Sequence, residues 1–543
     1  MKKRIILYVL LELLLIGIYY YFVLPPINLN ASAFWGFVLF ILVSSTILTL
    51  VYEVRNSIVR IISKGKDISL EGKSKRLKIM ACCVVAVIAI IAITNIICSP
   101  LFSAKSYSQR IKVDDSKTFA EDIALVDFNK LPLLDRDSSE KLGDRIMGQM
   151  SDLVSQFQVG YDYTQINYKE QIVRATPLEY ADLFRWFTNR DKGIPAYITV
   201  DSVTGKAELT KLDKGMKYVP SAHFNEKLIR KLRFTYPFDN FGDAKFEINN
   251  DGKPYYIVPV YKFTGVGLKK KVTHVIIFDP VDGKSKKYKM KDVPTWVDNA
   301  YDAALIIEQV DDWGQYRSGF WNTKFGQRGV VATTEGYNYL AMDDDIYLYT
   351  GITSVLSDES NLGFILSNMR TGETTYYEIA GAEEYSAMDS AEGQVQQMNY
   401  TSTFPLLINL NSKPTYLVSL KDAAGLVKMY GFVDVQDYQK VVVTDASDGI
   451  EVAAQNYIKK YSRGDVTPST DIQKVKITVD KISTVVKDGN TYYYIQSKDG
   501  KKYFTSIKTS NMLPFVSSGD ALEIGFYETA DDIIEIKKIY QES

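Results

Sequence analysis

At roughly 100–200 residues per folded unit, a chain of 543 residues predicts three or four units rather than one body. Its 64 Lys and Arg offset 65 Asp and Glu to a net charge of -1, which excludes a global basic field for nucleic acid and an acidic disordered tail. The mean hydropathy of -0.10 averages a lipid-like beginning with a water-like remainder.

Ile5 to Val23 is an apolar run broken only by Glu12 and ended by Pro25-Pro26, where a helix cannot continue. Phe34 to Val51 and Ile79 to Cys98 have similar lengths, each near the roughly 20 residues that cross a hydrocarbon core. No small-residue cleavage site follows the first run, so the reading is three spans rather than a signal peptide. Lys2, Lys3 and Arg4 precede span one, and Arg55, Arg60, Lys64, Lys66, Lys73, Lys75, Arg76 and Lys78 lie between spans two and three, whereas Leu24 to Ser32 carries no charge. The positive-inside rule then puts the amino terminus in the cytoplasm and everything after Cys98 outside a plasma membrane, with the lipid bilayer as first partner. Cys82, Cys83 and Cys98 all fall at span three, which leaves the exported part without disulfides or cysteine metal sites. Glu12 reads as a helix-to-helix or interfacial residue, because no intramembrane base accompanies it.

Beyond the spans the chain resembles itself. Gly160-Tyr-Asp-Tyr163 pairs with Gly336-Tyr-Asn-Tyr339, Ala196 to Lys206 with Gly363 to Glu373, Glu247 to Val258 with Leu407 to Val418, and Gly267-Leu268 with Gly425-Leu426. These landmarks keep one order at offsets of about 160–175 residues, the signature of a duplication. Each is a strand or hairpin with Asp, Asn and Gly at its turn. Helices are expected from a cap at Asp137-Ser-Ser-Glu140 through Leu142, Ile146, Met150, Leu153 and Phe157, and over Phe224–Leu232, Val297–Val310 and Ile450–Tyr461. After Arg463-Gly-Asp-Val-Thr-Pro468 come short strands at Val475–Ile482, Thr491–Ser497, Lys502–Ile507, Ala521–Tyr527 and Ile533–Ile539, with turns at Asp488-Gly-Asn and Lys498-Asp-Gly. Tyr492, Tyr493, Tyr494 and Phe504 suit ligand stacking, and strand alternation explains them as well. The expected fold is a multi-domain membrane protein: a three-helix anchor (1–99), tandem α+β modules (100–300 and 301–463) and a small OB- or SH3-type β-barrel (464–543).

The strands Tyr255 to Val260 and Thr273 to Lys284, with Asp and Gly-Lys at the turn, resemble the strand signature of PepSY-type modules. The resemblance spans about forty residues per copy and implies an exported or membrane-anchored protein that restrains or binds other extracytoplasmic proteins, peptidases in particular. It implies no catalytic residue. The whole arrangement also looks like membrane-anchored exported proteins of Gram-positive bacteria.

Motifs for catalysis are sparse. His223 and His274 have no nucleophile motif beside them. Gly283-Lys284-Ser285 has Phe278 where a P-loop needs its first glycine. Ser138-Ser-Glu-Lys141 matches S-x-x-K, but helix capping accounts for it and no S-D-N or K-T-G follows. Asp311-Asp312 and Asp343-Asp-Asp345 lack EF-hand spacing, so no metal or cofactor is expected. What remains is aromatic and polar: Trp186, Asn189 and Arg190 in one segment, Trp313, Tyr316, Arg317 and Trp321 in another. Such mixtures serve interfaces as well as strand cores. The expectation is a binding or scaffold protein of the bacterial envelope, engaging an envelope protein or a cell-wall polymer, with no nucleic acid. The alternatives are an envelope hydrolase using two carboxylates and a transmembrane sensor.

Overall fold

A computed structural model describes residues 2–64, 71–355, 357–461, 473–487, 490–526 and 533–540. The expected linker Arg463–Pro468, the turn at Asp488-Gly489, Tyr527, and Lys66 and Asp67 of the basic loop lie outside the described residues. The chain divides into two compact units, residues 1–458 and 459–543.

The first unit opens with three helices, α1 (Lys2–Val23), α2 (Ser32–Lys64) and α3 (Glu71–Ile97). Each contains a window long and apolar enough to cross a membrane: Ile6–Val23, Ser32–Arg55 and Lys78–Ile97. Tyr19 of α1 stacks on Phe37 and Phe40 of α2 at 5.6 and 4.1 Å. Glu12 lies in the same contact, its Oε1 accepting from the hydroxyls of Ser44 (2.7 Å) and Ser45 (2.9 Å). The acid is therefore part of the helix packing: hydroxyls take up its Oε1, and its Oε2 is buried with no hydrogen-bond partner among the described residues. A short helix, α4 (Pro100–Ser108), follows α3 directly, with proline in its first turn, where no amide hydrogen bond is forfeited.

Four sheets follow, and all four have one strand order. Sheet one contains β1 (Phe157–Val159), β2 (Thr164–Tyr168), β3 (Gln171–Tyr180), β4 (Ile194–Asp201) and β5 (Ala207–Met216). Strand β3 is flanked by β4 on one side and by β1 and β2 on the other, and β5 extends the sheet beyond β4. Sheet two repeats this with β6 (Asn240–Phe241), β7 (Lys245–Ile248), β8 (Pro254–Thr264), β9 (Lys269–Phe278) and β10 (Ser285–Lys289). Sheet three has β11 (Val331–Thr333), β12 (Asn338–Met342), β13 (Asp345–Ser354), β14 (Ser357–Asn368) and β15 (Thr374–Tyr377), widened by Val113–Asp114 and Gly381–Ala382. Sheet four has β16 (Thr401–Ser402), β17 (Leu406–Leu410), β18 (Lys413–Lys421), β19 (Val427–Asp434) and β20 (Val441–Asp445). The sequence pairs quoted above fall on corresponding strands or on the turns between them, sheet one against sheet three and sheet two against sheet four.

Local chemistry explains why the last hairpin recurs. Asp201, Asp279, Asn368 and Asp434 each end or follow the fourth strand, and each side-chain oxygen accepts amides two and three residues on. That Asx geometry starts the turn. Gly205, Gly283 and Gly372 then adopt φ of 75, 72 and 76° to close three of the four.

A helix precedes each sheet: α5 (Arg136–Gly148), α7 (Leu228–Thr235), α8 (Ala303–Tyr316) and α9 (Glu384–Gly393). Between β3 and β4 lies the shorter α6 (Leu183–Asn189), and α10 (Ile450–Tyr461) follows sheet four. The cap of helix α5 is Asp135, two residues before the expected one, because Asp135 is the residue that accepts from the Ser138 amide, and the helix stops at Gly148, ahead of Leu153 and Phe157. The expected helix at Val297 starts instead at Ala303. Asp298 and Asn299 are held in extended contacts described below, so the helix cannot include them.

Sheets one and two share one apolar core, built from Ile166, Leu178, Ile198, Val200, Phe246, Val258, Ile276 and Phe278 among others. This body sits on the α1–α2 turn. The Ile27 amide donates to the Pro237 carbonyl (2.8 Å), the Gly267 amide to the Asn30 carbonyl (2.8 Å), and Asn95 of α3 exchanges bonds with both backbone atoms of Val266. Gly267 has φ 68°, and a Cβ there would meet Ser32 at 3.1 Å, so glycine permits the close approach.

The second unit is a six-stranded sheet curled into a half-barrel. Gln473–Lys487 is the long central strand, pairing through its first half with Ala521–Phe526 and through its second with Asn490–Ser497, which in turn pairs with Lys502–Ser506. Ile533–Glu535 and Lys538–Tyr540, consecutive parts of one segment, form the two edges of the sheet. Val479, Ile495, Tyr503, Leu513 and Ile524 fill the concave side, so Tyr503 serves the core, whereas Tyr494 and Phe504 stack on each other outside it.

Candidate functional site

Helices α4 and α8 pack against each other beside the end of α3. Tyr107 of α4 is buried, donates its hydroxyl to the Cys98 carbonyl (2.9 Å) and meets Tyr316 of α8 edge-on at 5.9 Å. Just beyond α4, buried Arg110 pairs with Asp312 and, at 3.3 Å, with Glu308, and donates to the Lys270 carbonyl at 2.6 Å. Lys269 joins the same two carboxylates, Glu308 at 2.6 Å and Asp312 at 3.3 Å. Burial raises the Asp312 carboxyl above the usual range, and Arg110 and Lys269 oppose that rise. Two cations and two acids thus close a charge-balanced floor.

Above this floor runs an open groove of about 690 Å³, lined by Lys105, Lys112, Trp313, Tyr316 and Arg317 together with Ser108, Gln109 and neighbouring apolar atoms. Its lining holds three cations and no carboxylate. The Arg317 guanidinium lies 4.8 Å over the Trp313 ring and donates to the Gly329 carbonyl, which fixes both groups. Three basic groups and two ring faces on one open surface suit an anionic, chain-like ligand with apolar or sugar faces.

The expected residues of this segment separate. Trp313, Tyr316 and Arg317 line the groove, and Trp321 stands outside it, 64% exposed and stacked on Phe325 at 5.8 Å. The loop that carries them is braced by Thr323, which donates to the Gln315 and Gly319 carbonyls, and by Asn322, which donates to the Arg328 carbonyl. The other expected segment is not part of this groove. Trp186 is 2% exposed, its indole N–H donating to Glu226 at 2.9 Å, and Asn189 bonds Gln156. Arg190 covers the rings of Trp186 and Phe187 at 5.4 and 5.9 Å. The exposed rings there are Phe184 and Phe187. Sequence reasoning missed Lys105 and Lys112, which belong to no motif and join Arg317 only through helix packing.

Other constellations are accounted for structurally. Ser138 and Lys141 both donate to the turn after β18, to the carbonyls of Gly425 and Ala424. Asp345 is held by Asn368 and Arg370, and Asp311 accepts from Thr333. Among the described residues no group of three or more His, Cys, Asp and Glu is arranged to hold a metal ion. Two carboxyls do meet, Glu247 and Asp298, but both are fully buried. Glu247 accepts the amides of Asp298 (2.9 Å) and Asn299 (2.7 Å), and Asp298 accepts the amide of Asn167 (2.7 Å) on the open edge of β2. Burial pushes Glu247 up to about 7, and burial together with the Glu247 charge raises Asp298 as well. This pair is a clip between strands.

No protein-family profile matches the chain, and no curated protein matches it. Among solved structures, the crystal structure of cobalt-substituted Synechocystis ACO aligns over 54% of this chain at 9% identity and a TM-score of 0.13. The alignment spans 48% of that protein's length and carries no argument about fold or function.

Proposed function

We propose that this is a membrane-anchored binding protein of the bacterial envelope, with its amino terminus in the cytoplasm and the globular part outside, and that the groove between α4 and α8 takes an anionic cell-wall polymer. The observation that carries the reading is the lining itself, which brings Lys105, Lys112 and Arg317 together beside Trp313 and Tyr316 with no acid among them. Phosphodiester or carboxylate groups along a polymer pair with the cations, and sugar faces stack on the rings. The groove is open, as a chain-like ligand requires, and it lies next to the end of α3, where a polymer linked to lipid would emerge.

In this reading the four sheets are two tandem α+β modules of PepSY type, sheets one and two forming the first and sheets three and four the second. The terminal half-barrel is a small OB- or SH3-type domain, a class supported by its two edge strands coming from one segment. The modules position the groove and leave their outer faces for other envelope proteins.

The test is calorimetric titration of the full chain in nanodiscs with a purified phosphodiester wall polymer, at low and moderate salt. Wild type should bind with an affinity that falls as salt rises, and the triple change K105E, K112E, R317E should weaken it about tenfold or more. Equal binding by wild type and the triple variant, or none by wild type, would remove the groove from the function.

A further inference from the structure

We propose that α6 and the aromatic side chains around it seat in the interfacial layer of the bilayer, making a second membrane contact beside the spanning helices. This rests on the reading that α1–α3 span the bilayer. Helix α6 turns Trp186 into the core and presents Leu183, Phe184 and Phe187 at 44, 76 and 67% exposure, more apolar surface than a seven-residue helix facing water carries.

Its surroundings identify what covers that surface. The Trp186 ring lies 5.6 Å from that of Phe224, and the Phe224 carbonyl accepts from Arg230. Arg230 also donates to the Tyr21 carbonyl (3.0 Å) and lies 4.1 Å over the Tyr21 ring, while the Tyr21 hydroxyl donates to Asn225 (3.0 Å). Helix α6 is therefore linked through the Phe224–Glu226 turn and Arg230 to the last turn of α1, where Phe22 is 65% exposed within an apolar window. Phe234, also exposed, packs against Tyr20 and Tyr21 at 6.0 and 6.5 Å, and the carbonyl of exposed Phe238 accepts from Asn28 in the α1–α2 turn. These exposed rings gather at the end of the helices where the globular part docks, the depth at which aromatic side chains favour a bilayer. Arg185 pairs with Asp182 and Arg190 with Asp191, so charge beside α6 is balanced and the contact rests on the apolar rings.

Photocrosslinking of the full chain tests this in nanodiscs of equal phosphatidylglycerol and phosphatidylcholine, with p-benzoylphenylalanine placed singly at positions 22, 184, 187 and 438. Tyr438 is exposed in the turn between β19 and β20 of sheet four and serves as the control outside the α1–α7 aromatic cluster. Lipid adducts at 184 and 187, about tenfold above position 438 and comparable to position 22, are the expected result. Adducts at 22 with none at 184 and 187 would overturn the interfacial seat while leaving the spanning helices intact. Crosslinks from 184 and 187 to a second copy of the chain would overturn it in favour of a protein contact. Absence of lipid adducts at 22 itself would remove the spanning reading and this inference with it.

Discussion

Removing the Trp186 indole deletes a buried ring and leaves Glu226 without the N–H it accepts. Trp186→Ala should therefore cost about 3–5 kcal/mol in the first unit, the range for emptying a core site of this size. Phe187→Ala, one residue on and 67% exposed, should change denaturation in detergent by no more than about 0.5 kcal/mol. Chemical denaturation of the two variants separates a packing role from a surface role; equal losses would contradict the placement of both rings. Glu12 poses the same question inside the helices. Replacing Ser44 and Ser45 by Ala withdraws both hydroxyls from its carboxylate and should loosen α1 from α2 by about 1 kcal/mol, measured as the steric-trapping or unfolding free energy of the full chain.

At the scale of elements, the globular part is fastened to the helices by groups that complete a helix end. Helix α1 stops at Val23 with unpaired carbonyls, and Arg230 and Arg233 reach them, the first at Tyr21 and the second at Leu24 (2.9 Å). Arg233 also donates to the Asp239 carbonyl (2.6 Å), so one guanidinium joins the helix end to the residue before sheet two. Burial lowers Arg233 to about 10, still far above neutrality, so it remains charged as a donor. Arg233→Ala leaves buried carbonyls without partners and should cost about 2–4 kcal/mol, and Arg233→Lys should recover little, because a single ammonium cannot span carbonyls on two elements. Faster amide exchange in Leu24–Ala31 than in wild type is the readout; unchanged exchange would show that the turn holds without the arginine.

At the scale of the whole molecule, much of this architecture is legible in the sequence, and its limits have physical causes. The three apolar helices follow from run length alone, and the matched landmarks are visible because a hairpin needs Asp or Asn and usually Gly at one fixed place, as at Asp201 and Gly205. The start of α8 is misread at Val297 because Asp298 and Asn299 serve a clip that no local pattern announces. The groove was half legible: Trp313, Tyr316 and Arg317 share a helix end, whereas Lys105 and Lys112 reach them only when α4 folds onto α8. The same long-range logic governs the clip itself, which ties the edge of β2 to β7 and to the segment before α8. Glu247 and Asp298 both bind protons more tightly when folded than when unfolded, because burial penalises their charge. Between the unfolded value for Glu247 of 4.5 and its folded value of about 7, the folded chain holds the extra proton, so stability falls as pH rises through that window. Asp298→Asn keeps an oxygen for the Asn167 amide and removes the charge that opposes Glu247. This variant should therefore match wild type below the unfolded Asp298 value of 3.8, where that carboxyl is protonated in both states, and exceed it at pH 8, with a flatter decline between, in melting curves of the full chain. A steeper decline than wild type would mean that the Asp298 carboxylate is stabilised where it stands, and that the clip works as a charged pair.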